Sequence, residues 1–394
     1  MARRQLKAAE ETPIQRCTTA TRPTRRQLAL EPCRVGAGSP MEEAALHSVA
    51  ESNSFGRTQG RTARLFTLES DLLRVCITDY GGILVSLEAF DRSGTRDHLV
   101  LGFDDVSGYV DNRGSFGALL GRNANRIAEG RINIDGHVYE LSKNENGATL
   151  HGGADGFGKR FWSVTEFDAR RLTLRLVSGD GDQGFPGEIT AEATWSLDGA
   201  DLLLTFAART SKPTPLSLSA HPYFNLDGPI ARECLDHQVE IFAESYLPTD
   251  RRQIPTGEVT AVADTPFDFR RARSIGERIR EQDEQLRYGR GYDHYFILSQ
   301  EDPGSLRPAA RVRSARSGRL LEILTTQPGL QFYTGNNLDG SAPGRGGLYR
   351  QSAGFAFEPQ GFPNAPNQPN FPSTILRPGE TYRQTIVYRL AADH

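Results

Sequence analysis

The chain has 394 residues, a net charge of −3 and an isoelectric point near 6.3, with charges of both signs interspersed. This balance provides no basic surface of the kind that nucleic acids or anionic membranes attract. No apolar run approaches the roughly 20 residues that a membrane-spanning helix needs. The four cysteines are far apart and form no CxxC pair, which argues against a disulfide framework or a zinc site and favours a reducing cytoplasm.

The first fifty-odd residues differ from the rest, because they are rich in arginine and show no sustained apolar period. We interpret residues 1–55 as a disordered or non-native N-terminal extension. Met41 is the only methionine after Met1, so translation that starts there would omit the basic segment. From Arg57 to Ala391, without an internal linker, the pattern predicts one domain covering residues 57–391.

Short alternating apolar segments, separated by Gly, Asp, Asn and Pro, predict many strands joined by turns. The predicted strands are Arg64–Leu68, Leu72–Thr78, Ile83–Phe90, His98–Leu101, Phe161–Phe167, Leu172–Val177, Glu188–Leu197, Leu202–Ala207, Gln238–Phe242, Tyr295–Leu298, Leu320–Thr325 and Tyr382–Leu390. Helical periodicity is convincing only over Ser274–Leu286, where Ile275, Ile279 and Leu286 share a face. The sequence therefore predicts an all-β fold, an antiparallel sandwich or barrel with at most one short helix.

Two glycine-rich segments match nucleotide-binding patterns but lack the required context. Gly179–Gly184 fits GxGxxG, yet Phe185-Pro186-Gly187 follows where a dinucleotide site needs a helix. Gly153–Lys159 fits GxxxxGK, yet Arg160 stands where a phosphate loop needs Ser or Thr. We therefore expect no nucleotide cofactor.

Glu358 lies at the end of a predicted strand in which Phe355 and Phe357 alternate with small residues. Pro359 follows and is expected to end the strand, because it cannot donate a ladder hydrogen bond. An isolated glutamate of this kind is usually exposed to solvent. A carboxylate beside aromatic residues, without a nearby cation in sequence, would also suit a proton-transfer base.

Other polar residues interrupt the strand pattern and could share a site with this carboxylate. They are Asn125 and Arg126, His151 before a Gly pair, His221 and Tyr223 around Pro222, Asp293, and Gln331. Each alone is compatible with a surface turn or a buried structural residue. No Ser or Cys occupies a nucleophile-like context, and the histidines lack metal-ligand spacing, so we expect neither a covalent intermediate nor a metal. Aromatic faces with amide and arginine donors suit a sugar.

These segments, taken in order, resemble the aldose 1-epimerase (galactose mutarotase) family. The segments are Gly121–Ile127, Leu150–Gly153, His221–Leu226, Thr265–Phe269, Asp293-His294, Gln327–Asn336 and Glu358 with its Pro/Asn loop. The resemblance covers about Arg57 to Leu390. It implies a single-domain antiparallel β-supersandwich without cofactor or metal, acting on a small sugar in the cytoplasm as a monomer or weak homodimer.

The resemblance also implies a role for each site residue. Glu358 would be the general base and His221 the general acid, and a nearby carboxylate would favour the imidazolium form of His221. The sugar hydroxyls would be bound by Asn125, Arg126, His151, Tyr223, Asp293 and Gln331. Two departures from the family pattern, Asn364 in place of Asp and Tyr295 in place of Asn, would affect sugar preference.

Three alternatives remain open on the sequence alone. A hexose-6-phosphate 1-epimerase on the same fold would need several cations around the phosphate, and Arg126 is the only one in these segments. A glycosidase could use Asp293 and Glu358 as its pair of carboxyl groups. A non-catalytic carbohydrate-binding module would not need the paired His221 and Glu358.

Overall fold

A computed structural model describes residues 51–110, 114–299, 302 and 304–393. Our interpretation of the first fifty residues therefore falls outside the described part of the chain. The first strand begins at Glu51, so the first sheet includes residues ahead of the expected start at Arg57. Neither of the two α-helices in the described residues is long and apolar enough to cross a membrane.

The described residues are organised mainly as β-strands. The strands are β1 (Glu51–Thr58), β2 (Arg61–Glu69), β3 (Leu73–Thr78), β4 (Leu84–Phe90), β5 (Arg96–His98), β6 (Leu119–Leu120), β7 (Arg126–Ile127), β8 (Arg131–Ile134), β9 (His137–Glu140), β10 (Thr149–Leu150), β11 (Ser163–Phe167), β12 (Arg171–Ser178), β13 (Ile189–Asp198), β14 (Asp201–Thr210), β15 (Thr214–Pro215), β16 (Ser219–Ala220), β17 (Gln238–Ile241), β18 (Ala243–Leu247), β19 (Thr260–Ala261), β20 (Arg273–Ser274), β21 (Asp293–Leu298), β22 (Arg307–Arg313), β23 (Arg319–Thr325), β24 (Gly329–Tyr333), β25 (Asp339–Gly344), β26 (Gly347–Arg350), β27 (Ala356–Gln360), β28 (Ile375–Leu376) and β29 (Tyr382–Ala392). The helices are α1 (Ser107–Val110) and α2 (Glu284–Gly289).

Three antiparallel sheets contain most of these strands. One has the order β1-β2-β3-β4-β5, the largest has the order β11-β12-β13-β14-β29-β23-β22-β17-β20, and the third has the order β19-β18-β21-β24-β27. Short two-stranded pairs, including β7 with β10 and β6 with β16, form separate small sheets. The prediction of an all-β antiparallel fold is confirmed.

Alternation of apolar and polar residues explains how the sheets pack. In β12, Leu172 and Leu174 are fully buried whereas Arg171 and Arg175 are exposed, as expected for a strand with one face toward the core. One cluster of buried side chains has members in all three large sheets, among them Phe66, Trp195 and Phe357. The sheets therefore share one apolar core.

The predicted helix over Ser274–Leu286 is not continuous. Ile275–Glu277 forms one 3₁₀ turn, and α2 begins only after Asp283, whose carboxylate accepts hydrogen bonds from the N–H groups of Gln285 and Leu286. The three apolar residues that suggested a helix are all buried. The periodicity therefore identified core positions, and the cap at Asp283 starts a separate short helix.

Arg122 explains the glycine-rich segment that resembled a dinucleotide site. Its guanidinium is buried and donates to the Ser178 hydroxyl and to the carbonyl oxygens of Ser178, Gly179, Pro186 and Gly187, at 2.6–3.0 Å. Burial lowers the pKa of Arg122 to about 10. The segment therefore serves as a set of acceptors for a buried cation.

We predict that Arg122→Leu is strongly destabilising, because it leaves several buried carbonyl oxygens without a donor. The expected loss in unfolding free energy is about 3 kcal/mol or more, measured by chemical denaturation. Arg175→Leu is the matched control, since Arg175 is exposed on β12, and it should change stability by less than about 0.5 kcal/mol. Equal effects of the two substitutions would contradict the role of Arg122.

Candidate active site

The register of the third sheet brings three of the predicted residues to one face. Gln331 in β24 lies directly opposite Glu358 in β27, and Asp293 in β21 lies opposite Tyr333. Gln331 and Tyr333 are two residues apart and therefore share a face. The Gln331 amide donates to the Asp293 carboxylate at 2.6 Å.

His221 reaches the same place from a different part of the chain. It follows the short strand β16, and its backbone is fixed by hydrogen bonds with Ala118 and Gly117. Its Nε2 lies 3.4 Å from a carboxylate oxygen of Glu358. Both side chains are almost completely buried, so a histidine and a glutamate 137 positions apart in sequence (358 minus 221) form a direct pair.

Asn125, Arg126 and His151 are positioned by the pairing of β7 with β10. Arg126 pairs with Leu150, and the His151 N–H donates to the Asn125 carbonyl oxygen. Asn125 and His151 both adopt positive φ angles, of 62° and 52°. Positive φ is uncommon for residues other than glycine and is frequent at functional sites.

A cavity of about 1050 Å³ connects these side chains. Seven of the eight predicted site residues line it: Asn125, Arg126, His151, His221, Tyr223, Asp293 and Glu358. Gln331 does not line the cavity, and it contacts the site through its hydrogen bond to Asp293. The rings of Tyr223 and Tyr333 lie 4.8 Å and 6.0 Å from the His221 ring, and they give the polar cavity aromatic walls suited to the apolar faces of a sugar.

Burial acts in opposite directions on the two members of the Glu358–His221 pair. Desolvation, reinforced by the charge of Asp293, raises the pKa of Glu358 well above its ordinary value. Desolvation lowers the pKa of His221 to about 4. The two shifts favour a protonated Glu358 beside a neutral His221 at the 3.4 Å contact. The direction of the His221 shift is opposite to the expectation that a nearby carboxylate favours its imidazolium form.

His151 is neutral, and one of its ring nitrogens is already committed. Burial, His221 and Arg126 all lower its pKa well below 6.5. Its Nδ1 accepts a hydrogen bond from the Asn125 N–H at 3.2 Å, so the ring hydrogen must be on Nε2. His151 can therefore donate a hydrogen bond but holds no excess proton.

His151, His221 and Glu358 also form a group that could hold a metal ion, with potential ligand atoms within 4.8 Å of one another. The spacing of the histidines in sequence gave no indication of this grouping. Coordination by Nε2 of His151 would require its hydrogen to move to Nδ1, against the Asn125 N–H that Nδ1 now accepts. The tautomer of His151 thus favours a hydrogen-bond donor over a metal ligand.

Two residues that hydrogen-bond to Arg126 of the site were not identified from the sequence. Glu145 accepts two hydrogen bonds from Arg126, at 2.6 Å and 3.0 Å. Gln253 lies between Arg126 and Asp293 and is hydrogen-bonded to both. Gln253 belongs to an irregular loop, and no sequence pattern connects it with either partner.

The two departures from the family pattern lie outside the cavity lining. The Asn364 side chain accepts from the Ala128 N–H, and the Tyr295 hydroxyl donates to the carbonyl oxygen of Gln360. Both residues hold backbone segments together next to the site. Their positions give no support to the expectation that they set sugar preference.

The fold and the site define a β-sandwich protein with a buried histidine–glutamate pair in a polar cavity, and comparisons with known proteins show its family. Residues 64–389 match the family model for aldose 1-epimerase. The human galactose mutarotase is 43% identical over 333 residues, covering 84% of this chain and 95% of that protein. The Escherichia coli aldose 1-epimerase is 38% identical over 339 residues, covering 85% and 97% respectively.

Solved structures extend the agreement to the fold. An aldose epimerase homologue from C. elegans superposes with a TM-score of 0.79 at 30% identity and covers 84% of this chain and 100% of its own. A galactose 1-epimerase from Lactobacillus acidophilus gives a TM-score of 0.76 at 26% identity, covering 88% of this chain and 100% of its own. The chain belongs to the aldose 1-epimerase family.

We predict that Glu358→Gln keeps the fold and does not destabilise the protein at pH 8. A carboxyl group with a raised pKa in the folded state stabilises that state fully below about pH 4.5, its ordinary pKa, and this contribution disappears as the pH rises through the raised value. Glutamine has no such pH-dependent loss. Thermal unfolding at pH 5 and pH 8 would test this, since the advantage of Gln over Glu should grow with pH; a variant less stable than wild type at pH 8 would contradict it.

Proposed function

We propose that the protein interconverts the α and β anomers of free hexoses such as glucose and galactose, with Glu358 as base and His221 as acid. Its family membership makes it an isomerase, an aldose 1-epimerase. The observation that carries the assignment of roles is the 3.4 Å contact between a buried carboxyl group and a buried imidazole at the wall of the cavity.

Anomer exchange needs one proton removed from the C1 hydroxyl and one delivered to the ring oxygen. In the proposed mechanism, the Glu358 carboxylate takes the C1 hydroxyl proton while the His221 imidazolium protonates the ring oxygen. The bond between C1 and the ring oxygen breaks, the aldehyde forms, and the C1–C2 bond rotates before the reverse steps close the ring. Each group typically contributes ~10²–10⁴-fold, and no redox partner or covalent adduct is required.

The single proton shared by Glu358 and His221 fits this order of reaction steps. After ring opening, Glu358 is protonated and His221 is neutral, which is the distribution that burial favours. The ring-opening arrangement, carboxylate and imidazolium, has the same number of protons and differs by one transfer across the 3.4 Å contact. A sugar that places its C1 hydroxyl against the carboxylate would stabilise the ionised form of Glu358 by hydrogen bonding.

The remaining residues are proposed to bind the sugar. Asn125, Arg126, His151, Asp293 and Tyr223 would contact hydroxyl groups or ring faces, and Gln331 would act by orienting Asp293. His151 contributes a neutral N–H donor, because its pKa is low and its Nδ1 is occupied. We therefore assign it to binding, and His221 alone to proton delivery.

The charges of the cavity favour a free hexose over a hexose 6-phosphate. Among the described lining residues, Arg126 and Lys159 are cationic, whereas Glu145, Asp293, Asp339 and Glu358 are acidic. Arg126 is already paired with Glu145. A phosphate dianion would meet more acidic groups than basic ones, which opposes its binding.

A glycosidase is also less consistent with the contacts of Asp293. Its two carboxylate oxygens accept hydrogen bonds from Gln331 and Gln253. A nucleophile or general base needs a free oxygen directed at the substrate. We therefore place Asp293 among the binding groups.

We also propose that the protein works in the cytoplasm as a monomer or weak homodimer. The described cysteines, Cys76 and Cys234, form no disulfide, which suits a reducing compartment.

We predict that Glu358→Gln and His221→Asn each abolish nearly all rate enhancement, because each removes one of the two proton-transfer groups. Each variant should lose at least ~10²-fold in kcat/KM, measured by polarimetry of fresh α-D-glucose and α-D-galactose.

Wild-type protein that shows only the spontaneous rate would favour a binding module. A wild-type enzyme with faster turnover of glucose 6-phosphate than of glucose would favour the phosphohexose alternative, and release of sugar from an aryl glycoside would favour a glycosidase.

We predict that the acid limb of the kcat/KM profile lies near pH 4. Below the His221 pKa of about 4 the pair gains a second proton, which removes the base. Above the raised pKa of Glu358 the pair loses its shared proton, so activity also falls on the alkaline side. An acid limb near pH 6.5, the ordinary value for histidine, would contradict this assignment.

A further inference from the structure

We propose that Gln253 is a positioning residue that keeps Arg126 and Asp293 separate, so that both remain directed at the sugar. This inference rests on the proposed function, because it assigns the two charged residues to substrate binding. Gln253 itself is not part of the cavity lining.

The amide of Gln253 bridges a cation and an anion. Its Oε1 accepts from Nη2 of Arg126 at 2.8 Å, and its Nε2 donates to Oδ2 of Asp293 at 2.6 Å. An amide can satisfy both charges only in this orientation, with oxygen toward the cation and nitrogen toward the anion. The orientation of Gln253 is therefore fixed by its two partners.

The bridge belongs to a longer row of contacts, Glu145–Arg126–Gln253–Asp293–Gln331. Arg126 uses Nε and Nη2 for Glu145, and Asp293 uses its other oxygen to accept from Gln331. Among the hydrogen bonds of the described residues, Nη1 of Arg126 has no protein acceptor. This nitrogen is the group of Arg126 that remains for a sugar hydroxyl.

This row of hydrogen bonds prevents a direct ion pair between Arg126 and Asp293, which would be unfavourable for sugar binding. Arg126 and Asp293 attract each other electrostatically, but no nitrogen–oxygen pair within 4.0 Å joins them among the described residues. The attraction between opposite charges in a buried site strengthens as they approach each other, because little water screens them. Without the amide between them, the two side chains would be expected to pair and withdraw their polar groups from the sugar.

The backbone conformation and hydrogen bonds of the loop around Gln253 fix the position of this side chain. Gln253 has a φ of 61°, and the loop is closed by hydrogen bonds from the N–H groups of Arg252 and Ile254 to the Asp250 carboxylate. From outside the cavity, Gln368 donates to the carbonyl oxygen of Pro255 in the same loop. A non-glycine residue in this conformation is uncommon, and such conformations concentrate at functional sites.

The test compares three variants of the full chain with wild type. Gln253→Met removes both hydrogen bonds with little change in volume. Gln253→Glu keeps the shape and the acceptor for Arg126 but replaces the donor to Asp293 with a second carboxylate. Gln368→Met removes an anchor of the same loop without touching the site, and it serves as the matched control.

We expect Gln253→Met to raise the KM for galactose about tenfold or more while kcat changes by less than about threefold, because the change acts on sugar binding. Gln253→Glu should also raise KM, since it places like charges together at Asp293. Gln368→Met should leave both parameters within about twofold of wild type, even where it lowers the melting temperature.

Three outcomes would overturn the inference. The first is a wild-type KM in Gln253→Met. The second is a wild-type KM in Gln253→Glu, which would leave Gln253 only a space-filling role, and the third is an equal rise in KM in Gln368→Met, which would indicate that loop packing alone matters. Calorimetric titration with D-galactose separates this inference from the proposed function. A protein that binds galactose but shows only the spontaneous rate would refute the epimerase, and the dissociation constants of the variants would still decide the role of Gln253; no galactose binding by wild type would overturn both.

Discussion

The site depends on placing a carboxyl group and an imidazole in contact, where almost no water reaches either. In water, Glu358 would be ionised and His221 would titrate near neutrality. Burial raises the pKa of Glu358 and lowers that of His221, which favours a single proton on the carboxyl group of the pair. A shared proton is what a reaction with one proton removed and one delivered requires, so this distribution suits the proposed chemistry.

Such burial is tolerated because the neighbouring charges compensate one another. Arg126 is the cation nearest to the acidic groups, and its charge opposes the rise in the pKa of Glu358 while that of Asp293 reinforces it. Arg126 is in turn paired with Glu145 and separated from Asp293 by a neutral amide. Arg126 and Asp293 therefore each have hydrogen-bond partners, which limits the desolvation cost of burying their charges.

Regular elements could be predicted from the sequence more readily than their ends or the loops. Alternation identified most long strands within a few residues, but Pro359 did not end the strand as expected, since β27 continues to Gln360. In the order of its sheet, β27 is the last strand, with β24 on one side. A proline is tolerated at such an edge, where its missing donor leaves no ladder bond unmade.

The candidate site could be predicted only as far as its residues lie in recognisable segments. His221 directly follows a short strand and His151 precedes a glycine pair, which mark places where side chains can face a cavity, and Glu358 lies within β27 beside a proline. Gln253 lies in no such recognisable segment. Its proposed role depends on how its loop folds between Arg126 and Asp293, which are distant from each other in sequence. The 3.4 Å contact and the direction of the pKa shifts likewise depend on three-dimensional burial, which alternation patterns do not specify.

The two histidines show how one residue type takes two roles in one cavity. Their rings lie 5.6 Å apart, nearly perpendicular, and burial lowers the pKa of both. Nδ1 of His151 accepts from the Asn125 backbone, which fixes one tautomer and leaves Nε2–H as a donor. Nε2 of His221 faces a carboxyl group that can exchange a proton with it. Of the two, His221 can gain and lose a proton without breaking a backbone contact, and this difference, more than the residue type, supports the proposal that it is the acid.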